Sequence, residues 1–128
     1  MTLKIDVAPG ELIDKITILE IKSERISDQT KRTNVQTELA LLLSVRDSEI
    51  AASEQLTRLT TQLKSVNEAL WEIEDAIRDC EKAQSFDAEF IRLARAVYQT
   101  NDRRAQIKRE INLALGSSLI EEKSYQPY

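Results

Sequence analysis

The residues that interrupt regular backbone stand almost at the two ends of this chain: Pro9 and Gly10 near one, Gly116 and Pro127 near the other. Between Glu11 and Leu115 there is no proline and no glycine. A β or α/β protein needs turn residues every ten positions or so to reverse the chain between strands. In the same stretch Leu56, Leu59, Leu63, Val66, Leu70, Ile73, Ile77 and Cys80 follow one another at spacings of three and four. That spacing keeps one stripe of an α-helix apolar, and a long stripe of this kind is buried against other helices. The chain reads as all-α: an antiparallel helical bundle forming a single domain over residues 1–128.

Finer signals divide it into four helices. Proline suits a first helical position, where no N–H is needed and φ is already set, so the first helix is expected to start at Pro9. It carries Leu12, Ile16, Leu19 and Ile26 on one stripe, and Ile13, Ile18 and Ile21 widen that stripe until several neighbours are needed to cover it. Ser27 and Asp28 offer the N-cap of a second helix, with Val35, Leu39 and Leu42 facing inward. Traced backwards, the seam of the third helix meets Ser53, Glu49 and Arg46, so the chain is expected to leave the helix within 46–53; no breaker forces this, and the alternative is one helix from about 30 to 84. The third helix should run to about Gln84, Ser85 should cap the fourth, and Gly116 should stop it. At about thirty residues each, or roughly 45 Å, the last two helices outreach a first helix of roughly 26 Å. Trp71, Ile73, Ile77, Cys80, Phe86, Phe90 and Val97 would then lie beyond its cover, and a second copy is the simplest partner for them, which predicts a homodimer. Leu3, Ile5 and Val7 alternate like a short extended segment before the first helix. The tail after Gly116 holds two of the three tyrosines and is expected to dock on the bundle.

Charge and residue types remove several function classes. A formal net charge of −4 argues against nucleic acid as a partner, because phosphate neutralisation needs a basic face. No apolar run is long enough to span a membrane, and the alternating start does not look like a signal peptide. A lone cysteine on a core seam suits a reducing cytoplasm. With no histidine, zinc sites and Glu-x-x-His di-iron pairs cannot be built. Serine or cysteine nucleophiles with a base, and Gly-rich phosphate loops, are missing, so no cofactor is expected. Glu11/Asp14 and Glu72/Asp75 place carboxylates on common helix faces and leave one metal alternative: a Mg²⁺-dependent enzyme like the all-α nucleotide pyrophosphohydrolases. Those enzymes use a Glu-x-x-Glu and a Glu-x-x-Asp, and only the second occurs here, as Glu72-Ile73-Glu74-Asp75.

The fourth helix puts Asn101 and Arg104 where its seam calls for apolar residues. In a hairpin turning near Ser85, Arg104 is level with Asn67, and Asn101 with Leu70 and Trp71. The first helix is expected to bring Glu20 or Glu24 to the same level, with Lys15 or Lys22 nearby. A partly buried arginine needs an anion or several acceptors. The cluster of Glu20, Asn67, Asn101 and Arg104 is therefore either a structural ion pair that fixes register, or a site for a small anionic ligand with Arg104 as anchor. Six acids between Glu68 and Lys82 and six bases between Arg92 and Arg109 are expected to pair across the hairpin.

Five segments carry a resemblance: Pro9-Gly10-Glu11-Leu12-Ile13-Asp14-Lys15, Thr17-Ile18-Leu19-Glu20-Ile21-Lys22, Val66-Asn67 through Trp71 to Asp75, Asn101-Asp102-Arg103-Arg104, and Glu121-Glu122-Lys123-Ser124-Tyr125. Together they resemble an uncharacterised bacterial family of short all-helical proteins, a domain of unknown function. The resemblance brings no activity with it; it implies that the Glu-Glu-Lys-Ser-Tyr tail packs back on the bundle. The function expected is a non-enzymatic, cytoplasmic binding or interaction module with a possible protein partner. Two alternatives stand beside it: an anionic-metabolite sensor or enzyme anchored on Arg104, and the Mg²⁺ enzyme.

Overall fold

A computed structural model describes residues 1–128 and contains four helices: α1 (Pro9–Arg25), α2 (Gln29–Glu49), α3 (Glu54–Lys82) and α4 (Ala88–Ala114). No strand is present, so the chain is all-α as its periodicity requires. Helix α1 touches each of the other three, α3 and α4 form a hairpin, and α2 approaches only α1.

Local chemistry accounts for the helix ends. Asp28 caps α2 by accepting from the Lys31 N–H at 2.9 Å, and Ser53 caps α3 by accepting from the Leu56 N–H at 3.0 Å. Each such cap contributes about 1 kcal/mol. The break between α2 and α3 thus falls at the end of the expected interval. The cap of α4 is Asp87, which accepts from the Glu89 N–H at 3.1 Å, rather than Ser85. The shift follows from Gln84, which adopts a left-handed φ of 53°. Its N–H bonds the Glu81 carbonyl at 3.1 Å, and the Ser85 N–H bonds the Cys80 carbonyl at 2.9 Å. This is a Schellman ending built without glycine, and it uses Ser85 in the stop. Gly116, at φ 64°, ends α4 with the same pattern: Ser117 N–H to Asn112 O at 2.9 Å and Gly116 N–H to Leu113 O at 3.2 Å.

The main core joins Ile13 and Ile16 of α1, Leu56, Leu59, Leu63 and Val66 of α3, and Ile107 and Ile111 of α4. Burying each such side chain contributes roughly 1.5–3 kcal/mol. Helix α2 lies outside: Val35 is its one buried residue, and Leu39, Leu42 and Leu43 only edge the core. Leu3, Ile5 and Val7 are exposed and form no strand, because no second strand exists to take their backbone bonds.

Helix α1 ends at Arg25, whose guanidinium reaches Glu72 at 3.4 Å and Glu68 at 3.8 Å. From residue 73 to residue 99 the hairpin stands without a third helix, and Leu93 is its one buried residue. The cross-hairpin charge pairing expected from the sequence does not form. The α3 acids Glu68 and Glu72 turn to Arg25, while Arg104, Lys108 and Arg109 of α4 turn to α1 and to the tail. The tail has no secondary structure and lies back along α4, through Glu121 on Lys108, Glu122 on Arg109 and Tyr128 on Asp102.

Candidate functional site

Because α1 is enclosed by three helices, it buries polar residues beside its apolar ones. Asp14 and Thr17 are as hidden as Ile13 and Ile16. A carboxylate in that position must have its oxygens satisfied. Oδ1 of Asp14 accepts from Arg104 Nε and from Asn67 Nδ2, both at 2.9 Å, and Oδ2 accepts from Arg104 Nη2 at 2.5 Å. Asn67 Nδ2 also donates to Thr17 Oγ1 at 2.9 Å, and that hydroxyl donates to the Asp14 carbonyl at 2.8 Å. Three helices are therefore tied at one carboxylate. The bond to Asp14 raises the Arg104 pKa above the usual arginine value; burial opposes this, and the charges of Asp14, Glu11 and Glu121 add to it.

The tie continues along the α1–α4 contact. One turn on from Arg104, Lys108 is buried and donates to Glu11 at 2.8 Å and to Glu121 of the tail at 3.1 Å. Desolvation pulls its pKa down, but the two carboxylates outweigh it and leave the ammonium above the ordinary lysine value. A further turn on, Asn112 Oδ1 accepts from the Gly10 N–H at 2.7 Å. Ala8 provides no side-chain cap for α1, so Asn112 of another helix supplies it. The approach is close enough that a Cβ on Gly10 would lie 2.5 Å from the Lys108 carbonyl oxygen. Arg104, Lys108 and Asn112 thus face Asp14, Glu11 and Gly10 as a polar ladder.

A cleft of about 400 Å³ adjoins this ladder at Arg104. Ile18, Ile21, Leu70 and Trp71 make its apolar walls, Asn67, Asn101 and Arg104 its polar ones, and Glu74 and Asp75 complete it. Nε and Nη2 of Arg104 are committed to Asp14, which leaves Nη1 without a partner in the chain. Asn67 donates twice and leaves its Oδ1 unengaged. Electrically the cleft is not basic: Asp14 balances Arg104, Glu74 is joined to Arg78 at 3.3 Å, and Asp75 has no ion pair.

Three of the residues singled out from the sequence, Asn67, Asn101 and Arg104, meet at this cleft. The other three lie elsewhere. Glu20 is joined to Lys64 at 3.3 Å, together with Glu24 at 2.6 Å, and Lys15 to Glu38 of α2 at 3.0 Å, while Lys22 makes no ion pair. At about 100° per residue, Glu20 points roughly 120° away from Asp14, so α1 cannot present both to Arg104. The bond to Glu24 chiefly raises the Lys64 pKa, partly offset by burial, with Glu20 adding to it. The residues that sequence reasoning did not place here are Asp14, Thr17 and Lys108. Their signal was available: a carboxylate set between Ile13 and Ile16, inside the most apolar helix of the chain.

Of the carboxylates considered for Mg²⁺, Glu11 lies on Lys108, Asp14 on Arg104 and Glu72 on Arg25, while Asp75 has no ion pair. No group of three His, Cys, Asp or Glu side chains is arranged to hold a metal ion. No helix is long and apolar enough to cross a membrane.

A model of a family of unknown function (DUF6165) matches residues 3–128 of this chain. No curated protein and no solved structure matches it.

Proposed function

The chain belongs to DUF6165, a family of unknown function, and from its site we propose a non-catalytic binding module that takes a small ligand in the cleft beside Trp71. The observation that carries this reading is the set of unengaged polar groups, Arg104 Nη1 and Asn67 Oδ1, beside an apolar wall of Ile18, Leu70 and Trp71. Small-ligand sites have this make-up, mostly apolar with a few convergent polar groups, and a volume of this order. Both oxygens of Asp14 are engaged by Arg104 and Asn67, so that carboxylate is in no position to act as a base.

The charge balance also bears on the ligand. With Arg104 neutralised and Asp75 unpaired, the cleft favours an apolar body with a neutral or cationic head over an anion. Trp71 is the chain's one tryptophan and reports on the cleft directly. Titration with phenethylamine and benzamide should change its fluorescence saturably, and Asn101→Leu should abolish the change. A saturable response to succinate or phosphate alone, lost in Arg104→Met, would overturn this reading in favour of the anion sensor. Silence to all four probes would remove the cleft as a site.

For the uncovered half of the hairpin we propose a second copy of the chain as partner. What supports it is the exposure of Phe86 and Ile91 beyond the reach of α1, beside the edge-to-face pair of Phe86 and Phe90 at 5.1 Å. Sedimentation should give a dimer that Phe86→Glu with Ile91→Glu converts to a monomer. A wild-type monomer at all concentrations would refute it.

A further inference from the structure

All three tyrosines of the chain converge on one cavity, although one belongs to α4 and two to the tail. The cavity is about 860 Å³ and is lined by Tyr98 and Asp102 of α4 and by Lys123, Tyr125, Pro127 and Tyr128 of the tail. The rings of Tyr98 and Tyr128 stand with centroids 5.3 Å apart and planes at 68°, so they make a corner. The Tyr128 hydroxyl donates to Asp102 Oδ2, which brings a carboxylate to that corner. Tyr125 and Tyr128 remain 80% and 78% exposed, so these rings are not buried in the fold. Lys123 Nζ already lies over the Tyr125 ring, 5.8 Å from its centroid.

We propose that this cavity binds a small organic cation of the quaternary-ammonium type, with the tyrosine rings as walls and Asp102 as counter-ion. The faces of aromatic rings carry negative potential and attract cations whose hydration is weak, which is how aromatic cages hold quaternary ammonium groups. A ring corner with a carboxylate attached supplies both the π faces and a balancing charge. Asp102 Oδ1 has no partner in the chain and stays available to the incoming cation. Lys123 shows that one of these rings accepts a positive charge in the folded protein, and it acts as a built-in competitor for the Tyr125 face. The inference does not rest on the ligand proposed for the Trp71 cleft: none of these rings touches that cleft, and Asn101 is the one residue that lines both.

The test is a titration with tetramethylammonium chloride followed by amide NMR, with sodium chloride at equal ionic strength as control. Saturable shifts confined to residues 97–102 and 123–128 are expected. Asp102→Asn and Tyr98→Leu should each weaken binding about tenfold, and Lys123→Ala should tighten it several-fold by vacating the Tyr125 face. The amide spectrum itself shows whether each variant is folded. Shifts no larger than in sodium chloride, or shifts undiminished in both Asp102→Asn and Tyr98→Leu, would overturn the proposal.

Discussion

The α3–α4 hairpin is one pair of helices with two different interiors. On the side reached by α1, Leu59, Leu63 and Ile111 are sealed, and a buried carboxylate is paired with a half-buried arginine. On the other side the apolar spacing of α3 continues through Ile73, Ile77 and Cys80, yet Leu93 alone is buried. The apolar pattern is the same in both halves. What differs is a third helix of 17 residues beside one of 29, so burial follows the length of α1 and not the seam of α3. The same enclosure makes Asp14 possible, because only an element with neighbours on every side can hold a charge out of water and bond each of its oxygens.

The sharpest break of this contrast is Asp14→Ala. It leaves the half-buried guanidinium of Arg104 without its partner and strands the Asn67 amide, and should cost about 3–4 kcal/mol in urea unfolding, solvent access to Arg104 holding it to the lower part of the range for broken buried pairs. Asp14→Ala with Arg104→Met should recover much of that loss, since no orphan charge is left. An Asp14→Ala protein of near wild-type stability would mean that water replaces the carboxylate and that the tie is not structural.

Next in size is a matched pair of truncations along one seam. Leu63→Ala, at a fully buried site, should cost about 2–5 kcal/mol, and Ile77→Ala well under half of that. If the two cost the same in solution, the far half is covered after all, and sedimentation would show by what. Gly10→Ala should cost about 1–3 kcal/mol, because a Cβ there meets a backbone oxygen of α4 that cannot step aside. A neutral result would mean that α1 and α4 can separate without loosening the ladder.

The smallest effect is in pH. Lys108 holds its proton more tightly folded than unfolded, so its pairing stabilises in full below the ordinary lysine value of 10.5. That contribution is lost as pH rises through the higher folded value. Stability of the wild type should therefore fall above pH 10.5 more steeply than that of Lys108→Met, measured as melting temperature against pH. Parallel curves would show that Glu11 and Glu121 do not hold the proton.

Within the candidate site, Arg104, Asn101 and Asn67 were legible because they are polar residues on an apolar seam, and hairpin geometry sets them level. Glu20 was the wrong partner for Arg104, since counting turns from the hairpin gives height along the bundle but not the rotation of α1. The charge runs of α3 and α4 misled for a related reason. Opposite charges facing each other along a hairpin still choose among all acceptors in reach, and Arg25 and the tail offered better ones.

Most of what depends on neighbours in the chain was legible in the sequence: the helical class, the order of the helices, the start at Pro9, a break within 46–53 and the stop at Gly116; the cap of α4, Asp87 in place of Ser85, was not. These follow from side-chain spacing, caps and backbone freedom, which act within a turn or two. Only the tertiary structure decided that Asp14 meets Arg104 and Asn67, residues 90 and 53 positions away. It also decided that the tail sets its tyrosines against Tyr98 and Asp102. The physical reason is that such contacts depend on the rotation and offset of whole helices, which the packing of three elements fixes jointly and no local pattern encodes.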